Sequence, residues 1–168
     1  MRVLATRQLF ILATITSVVL MGFSFYLQHA QGLEPCPICV SQRIVFTLLG
    51  VTSLLASLQN PEALGIKIYS LLTAVFGAAG AGLAIRQLWI QHLPPDQAPN
   101  CMPGLEYLVD ILPPTDLLRV MLTGTGDCAT VQWVFLGLSI PGWTLIAFTG
   151  FTLMGLFLAF RKPHTIDL

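Results

Sequence analysis

Four apolar stretches, at roughly 9–27, 40–58, 66–86 and 143–160, constrain this chain more than any other feature. A helix needs about 20 mostly apolar residues to cross the hydrocarbon core of a bilayer. The second stretch reaches that length only if its helix begins near Cys39. Lipid offers no partner to a backbone N–H or C=O, so each crossing segment must close its hydrogen bonds internally, as a helix. The chain is 55% hydrophobic and only 10% charged, whereas a soluble domain carries about 25% charged residues. A formal net charge of zero gives no electrostatic case for a nucleic-acid partner. The expected fold is an all-α membrane protein: a single domain over 1–168, a four-transmembrane-helix bundle whose solvent is membrane lipid.

Arg2 and Arg7 followed by an apolar run also describe a signal peptide. The run exceeds a usual signal core and no A-x-A-like site follows it, so the segment is expected to stay as the first span. Basic residues near span ends favour the cytoplasmic side. With four spans, Arg2, Arg7, Lys67, Arg161 and Lys162 share one side, and Arg43, Arg86 and Arg119 the other. Five against three places both termini in the cytoplasm and the loops 28–39 and 87–142 in the periplasm.

The cytoplasmic turn Gln59-Asn60-Pro61-Glu62 reads as purely connective. Gly77, Ala78, Ala79, Gly80, Ala81 and Gly82 fall in the third span, where small residues let helices approach closely. The long outer loop opens with Pro94, Pro95, Pro99 and Pro103, then runs apolar from 105 to 122 around Pro113-Pro114. These prolines limit helical pieces to under ten residues. With Glu106, Asp110, Asp116 and Arg119 on a polar face, such pieces either lie on the membrane surface or pack on the rest of the loop. Trp133 and Trp143 read as interface anchors.

All four cysteines fall on the outer side, where an oxidising compartment sustains disulfide chemistry. Cys36-Pro37-Ile38-Cys39 is a C-x-x-C motif at the start of the second span. Two thiols at this spacing close and reopen a small ring, and a helix N-terminus at Cys39 favours a negative sulfur there. Arg43 follows by four residues, on the same helical face, where its guanidinium also suits a ligand oxygen. An inert disulfide and half of a metal site are the alternatives. No second C-x-x-C accompanies the motif, and no metal ligand set is read. Cys101 and Cys128 sit among loop residues. As a structural crosslink they would contribute about 3–4 kcal/mol on the chain-entropy model. As an exposed disulfide they would be open to attack by an external protein thiol.

The stretches Leu27-Gln28-His29, Glu34-Pro35-Cys36-Pro37-Ile38-Cys39, Gln42-Arg43 and Gly126-Asp127-Cys128-Ala129 carry a resemblance. It continues through Gln132-Trp133 and Phe135-Leu136-Gly137-Leu138 to Pro141 and Trp143. The chain resembles the disulfide bond formation protein B (DsbB) family of bacterial inner-membrane thiol:quinone oxidoreductases. The resemblance implies that a DsbA-like periplasmic thiol oxidase arrives reduced and attacks Cys101 of a Cys101–Cys128 disulfide. It implies that electrons then pass to the Cys36–Cys39 pair, and from Cys39 to ubiquinone or menaquinone of the membrane quinone pool. Arg43 takes the family's quinone-assisting position, and His92 either matches a family histidine near the quinone or is an interfacial histidine with no redox role. This route keeps the bacterial periplasm oxidising. A vitamin K epoxide reductase-like protein shares the bundle but usually places its C-x-x-C late in the chain. A non-enzymatic membrane subunit braced by two disulfides, and a metal-binding membrane protein, are the other readings.

Overall fold

The computed structural model describes residues 6–94, 97, 99–101 and 105–161. Its architecture is all-α, with four helices long and apolar enough to cross a membrane. They are α1 (Thr6–Gln31), α2 (Pro37–Gln59), α3 (Ala63–His92) and α6 (Ile140–Phe160). Between α3 and α6 lie α4 (Leu105–Ile111), α5 (Pro114–Thr123), a 3-10 turn over Gly126–Ala129, and the strands β1 (Val134–Phe135) and β2 (Leu138–Ser139).

The long helices overrun the apolar stretches because hydropathy marks the hydrocarbon slab, whereas a helix continues into the interface wherever its backbone bonds close. At 1.5 Å per residue, the 26 residues of α1 span about 39 Å and the 30 of α3 about 45 Å. The bilayer core is only about 30 Å thick. α3 is therefore longer than the core is thick. The loop between α1 and α2 shrinks to residues 32–36, and the one between α3 and α6 to 93–139. On the opposite side, Asn60 caps α2 in the left-handed region at φ 43°, and Pro61 blocks continuation. The turn before α3 is as short and polar as its sequence suggests.

The spans bury little of themselves. Val18, Val19, Leu71, Val75, Leu153 and Phe157 are all more than half exposed, a surface tolerable only in lipid. Inside the bundle, Ala13, Phe46, Leu49, Ala84, Phe148 and Phe151 form the core. The rings of Phe46 and Phe148 stack with centroids 4.1 Å apart. The most extensive contact joins α3 to α6, and small residues make it close. A Cβ at Gly77 would lie 2.8 Å from the Thr152 nitrogen, and one at Gly80 would lie 2.3 Å from a Phe148 ring carbon. Gly82 faces open space, so only part of the glycine run serves packing.

Pro114 starts α5 instead of lying outside it, since a first-turn proline forfeits no helical bond; α5 therefore reaches ten residues. One of its faces packs on the bundle. Ser41 Oγ donates to Met121 O at 2.9 Å, and Arg86 Nε to Thr123 O at 3.2 Å. Leu118 and Leu122 remain exposed on the other face.

The hairpin before α6 was not anticipated from the sequence. Val134 pairs with Ser139 and Phe135 with Leu138 in antiparallel register. Leu136 at φ 51° and Gly137 at φ 82° make a two-residue turn with both central residues left-handed.

Candidate active site

The site begins at the outer end of α2. Cys36 is the helix N-cap, in extended backbone, and Pro37 occupies the first turn. The cap returns the side chain over the turn, so Cys36 Sγ accepts from the Cys39 N–H at 3.4 Å and lies 2.8 Å from Cys39 Sγ. Cys36 is buried and Cys39 half-buried; all four cysteines are unbridged.

Cys128 rides the 3-10 turn, which packs on the outer end of α3. Its side chain is 1% exposed, in a cluster with Cys36, Ile38 and Ile90, against which Cys39 also packs. Gly124, at φ 81°, admits this approach, since a Cβ there would lie 2.6 Å from Ile38 Cδ1. Cys101 is exposed on the same turn's outer side, where Gly126 N–H donates to Asn100 O at 3.1 Å. A Cβ at Gly126 would stand 2.8 Å from Cys101 Sγ and 2.5 Å from Pro99 O. Cys101 is thus exposed to water, while Cys128, Cys36 and Cys39 pack together in one cluster.

Gly126→Ala is expected to slow oxidative closure of the Cys101–Cys128 bridge about tenfold, because the Cys101 strand must lift off the turn. Alkylation-shift gels during mild oxidation read this directly.

The two outer-face thiols of the buried cluster are electrostatically unlike. Hydrogen bonding from Cys36 lowers the Cys128 pKa from 9.0 to about 6, assisted by the Ile38 and Thr125 backbone. Cys36 moves the other way, raised by its bonds to Cys128 and Cys39 and by burial. Cys36 therefore keeps its proton while Cys128 loses one. Since the folded Cys128 pKa lies below the unfolded value, the unfolded chain binds more protons between pH 6 and 9. Cys128 then adds stability that grows as pH rises through that window and is lost below about 6. A titration of thiolate ultraviolet absorbance in the reduced protein is expected to show a component near pH 6 that Cys128→Ser removes. Titration wholly in the ordinary thiol range would contradict it.

On its other side Cys39 opens onto a cleft of about 520 Å³. Leu20, Phe23 and Leu27 of α1, Phe46 of α2, and Trp133, Phe135 and Trp143 near the hairpin form its apolar walls. Cys39, Gln42 and Arg43 are among its few polar groups. The Arg43 guanidinium is held from α1: Nε donates to Ser24 Oγ at 2.8 Å, Nη2 to Ser24 O at 3.2 Å, and Nη1 to Gln28 Oε1. Its carbon sits 5.1 Å from the Phe25 ring centre. Three of its five N–H donors are so engaged, leaving two for a ligand.

Cys36, Cys39, Cys128 and Arg43 converge, with Cys101 outermost. His92 does not join them: it is exposed at the end of α3, its Nδ1 2.7 Å from Leu88 O, and it is not among the cleft-lining residues. Trp133 and Trp143, expected as interface anchors, both line the cleft. Trp133 stacks on Phe135 at 5.7 Å, and Trp143 Nε1 donates to Phe135 O at 3.1 Å. Sequence reasoning assigned no role to Gln87, which is 4% exposed and donates to Cys39 Sγ at 3.2 Å. Its sequence position, just past the third apolar stretch beside Arg86, gave no signal.

Known proteins resemble this chain over nearly its whole length. The family model described as disulfide bond formation protein DsbB matches residues 6–158. A disulfide bond formation protein B from Hahella chejuensis is 52% identical over 161 residues, covering 96% of this chain and 98% of the relative. One from Marinobacter nauticus is 47% identical over 166 residues, covering 98% of each. One from Stutzerimonas stutzeri is 41% identical over 162, covering 96% and 99%. With four membrane-length helices and a cysteine cluster at one end of them, the chain belongs to the disulfide bond formation protein B family, a multi-pass membrane oxidoreductase of disulfide bond formation.

Proposed function

We propose that this protein reoxidises a DsbA-like periplasmic dithiol oxidase and passes the electrons to a membrane quinone. It would do so in the bacterial inner membrane, with both termini cytoplasmic and the cysteine loops periplasmic. The observation that carries the reading is the position of Cys39, which touches the buried cysteine cluster on one side and lines a largely apolar cleft with Arg43 on the other.

The reaction starts with both cysteine pairs oxidised. A partner thiolate attacks Cys101, exposed at the surface, and breaks the Cys101–Cys128 bond. Cys128 leaves as a thiolate, which hydrogen bonds from the Ile38 and Thr125 backbone favour, since a more acidic thiol leaves faster. The partner's second thiol displaces Cys101 and releases the partner oxidised. The Cys128 thiolate attacks Cys36 beside it, breaking the Cys36–Cys39 bond and freeing Cys39 as a thiolate. Cys101 then displaces Cys36 from Cys128, which restores the outer disulfide and leaves the inner pair reduced.

The cleft residues fit a quinone headgroup. Apolar and aromatic walls suit the ring and tail, and the spare Arg43 N–H groups suit a carbonyl oxygen. A bound quinone of the ubiquinone or menaquinone type supplies the two-electron acceptor, taking up two protons as the Cys36–Cys39 disulfide re-forms. The chain's own residues would hold the ring beside Cys39, exclude water from it, and place a positive charge near its oxygen.

Purified protein in detergent, mixed with reduced DsbA-like partner and ubiquinone, is expected to consume one quinone for each partner disulfide formed. Cys101→Ser should abolish turnover by the partner. Partner oxidation without quinone loss, or quinone loss that survives Cys101→Ser, would contradict the proposal.

A further inference from the structure

Two buried glutamines lie beside the thiols, and the reaction as written does not use them. Gln42 on α2 and Gln87 on α3 are each 4% exposed. Gln42 Nε2 donates to Gln87 Oε1 at 2.9 Å. That bond fixes which way the Gln87 amide faces, because its oxygen is occupied and its nitrogen must point away. The nitrogen points at the cysteines: Gln87 Nε2 lies 3.2 Å from Cys39 Sγ and 3.5 Å from Cys36 Sγ. A buried amide N–H without a partner is costly, so two side chains here have accepted that requirement only to meet each other and two sulfurs.

We infer that Gln87, held in orientation by Gln42, is a positioning residue that receives the Cys39 sulfur when it leaves the Cys36–Cys39 disulfide. In that step the Cys128 thiolate forms a bond to Cys36, the Cys36–Cys39 bond breaks, and its electron pair departs on Cys39. No proton moves. A disulfide sulfur is a weak acceptor, whereas hydrogen bonds to a charged acceptor are about twice as strong as neutral ones. The Gln87 N–H therefore favours the reduced pair over the oxidised one. Arg43 does not substitute for it, since its described side-chain hydrogen bonds go to Ser24 and Gln28 of α1. Gln42 also lines the cleft, so the pair links the cleft wall to the sulfurs.

The inference rests on the Cys36–Cys39 pair being redox-active, and its test uses neither quinone nor partner. The full-length protein in detergent is equilibrated with thiol–disulfide buffers, and the potential of the Cys36–Cys39 pair is read by alkylation and mass. Gln87→Met keeps the volume and removes the donor. It is expected to make the pair about tenfold easier to oxidise, a fall of about 30 mV in potential. Gln42→Met leaves Gln87 in place but frees its amide to turn, so a smaller shift of the same sign is expected. The double variant should shift no further than Gln87→Met alone, because both act through one N–H. An unchanged or raised potential in Gln87→Met, or additive shifts in the double variant, would overturn the inference. If Gln87→Met does not fold, an unchanged potential in Gln42→Met overturns it alone. A pair that never equilibrates with the buffer would overturn the redox relay and this inference with it.

Discussion

Cys39→Ser is expected to reduce quinone turnover to the background rate while leaving the helical bundle intact. The sulfur is irreplaceable for a chemical reason and dispensable for a structural one. A serine hydroxyl neither forms the disulfide nor leaves as a stabilised anion at neutral pH, so electrons reaching Cys36 have no way to the cleft. The fold loses little, because Cys39 is only half-buried and the turn is still capped and begun by Cys36 and Pro37. The outer half of the route survives in this variant. Reduced partner should still open the Cys101–Cys128 bridge once and leave oxidised, after which Cys101, Cys128 and Cys36 remain thiols. Quinone absorbance, thermal unfolding and disulfide mapping read these outcomes on one sample. A brace, by contrast, would lose thermal stability and no turnover.

The second large effect lies far from the cysteines. Gly155 of α6 faces α3 so closely that a Cβ would sit 2.6 Å from Ala74 N and 2.6 Å from Ser70 O. Both are backbone atoms, which cannot rotate aside as a side chain does. Gly155→Val must therefore push the two helices apart along the most extensive interface of the bundle. Overpacking a well-filled interior typically costs about 1–3 kcal/mol, and a backbone clash belongs at the upper end. Between transmembrane helices close van der Waals packing is the main adhesive, so separation is not repaired by the surrounding lipid. Thermal or denaturant unfolding in detergent is expected to show a marked loss of stability. Gly150→Val on the same helix meets nothing within 4 Å and should change stability by less than about 0.5 kcal/mol.

What the sequence disclosed follows from what is local in it. Four spans were legible because the bilayer imposes a length and a polarity on each segment separately. Cys36, Cys39 and Arg43 were legible because i, i+3 and i+4 spacing on one helix is a short-range code. The cleft was not, since α1, α2 and the hairpin region each give it a wall and no single stretch carries its pattern. Trp133 and Trp143 illustrate this: each has the composition of an interface anchor, and only the fold turns both toward Cys39. Gln87 was hidden for the same reason, its partners lying 45 and 48 positions away at Gln42 and Cys39. His92, matched by resemblance or read as an interfacial histidine, stands exposed at the end of α3. The hairpin was within reach, because Leu136-Gly137 between apolar residues is a two-residue turn signal once a glycine is allowed a positive φ.

The central claim is that Cys36 and Cys39 alone hand electrons to the quinone, the other two cysteines serving only to deliver them. The most direct measurement is a single turnover of prereduced Cys101→Ser/Cys128→Ser protein with ubiquinone, followed by quinone absorbance. The account predicts that one quinone per protein is reduced and that the Cys36–Cys39 disulfide forms at the same rate as in the parent protein. No quinone reduction by this folded double variant, with Cys36 and Cys39 remaining thiols, would contradict it.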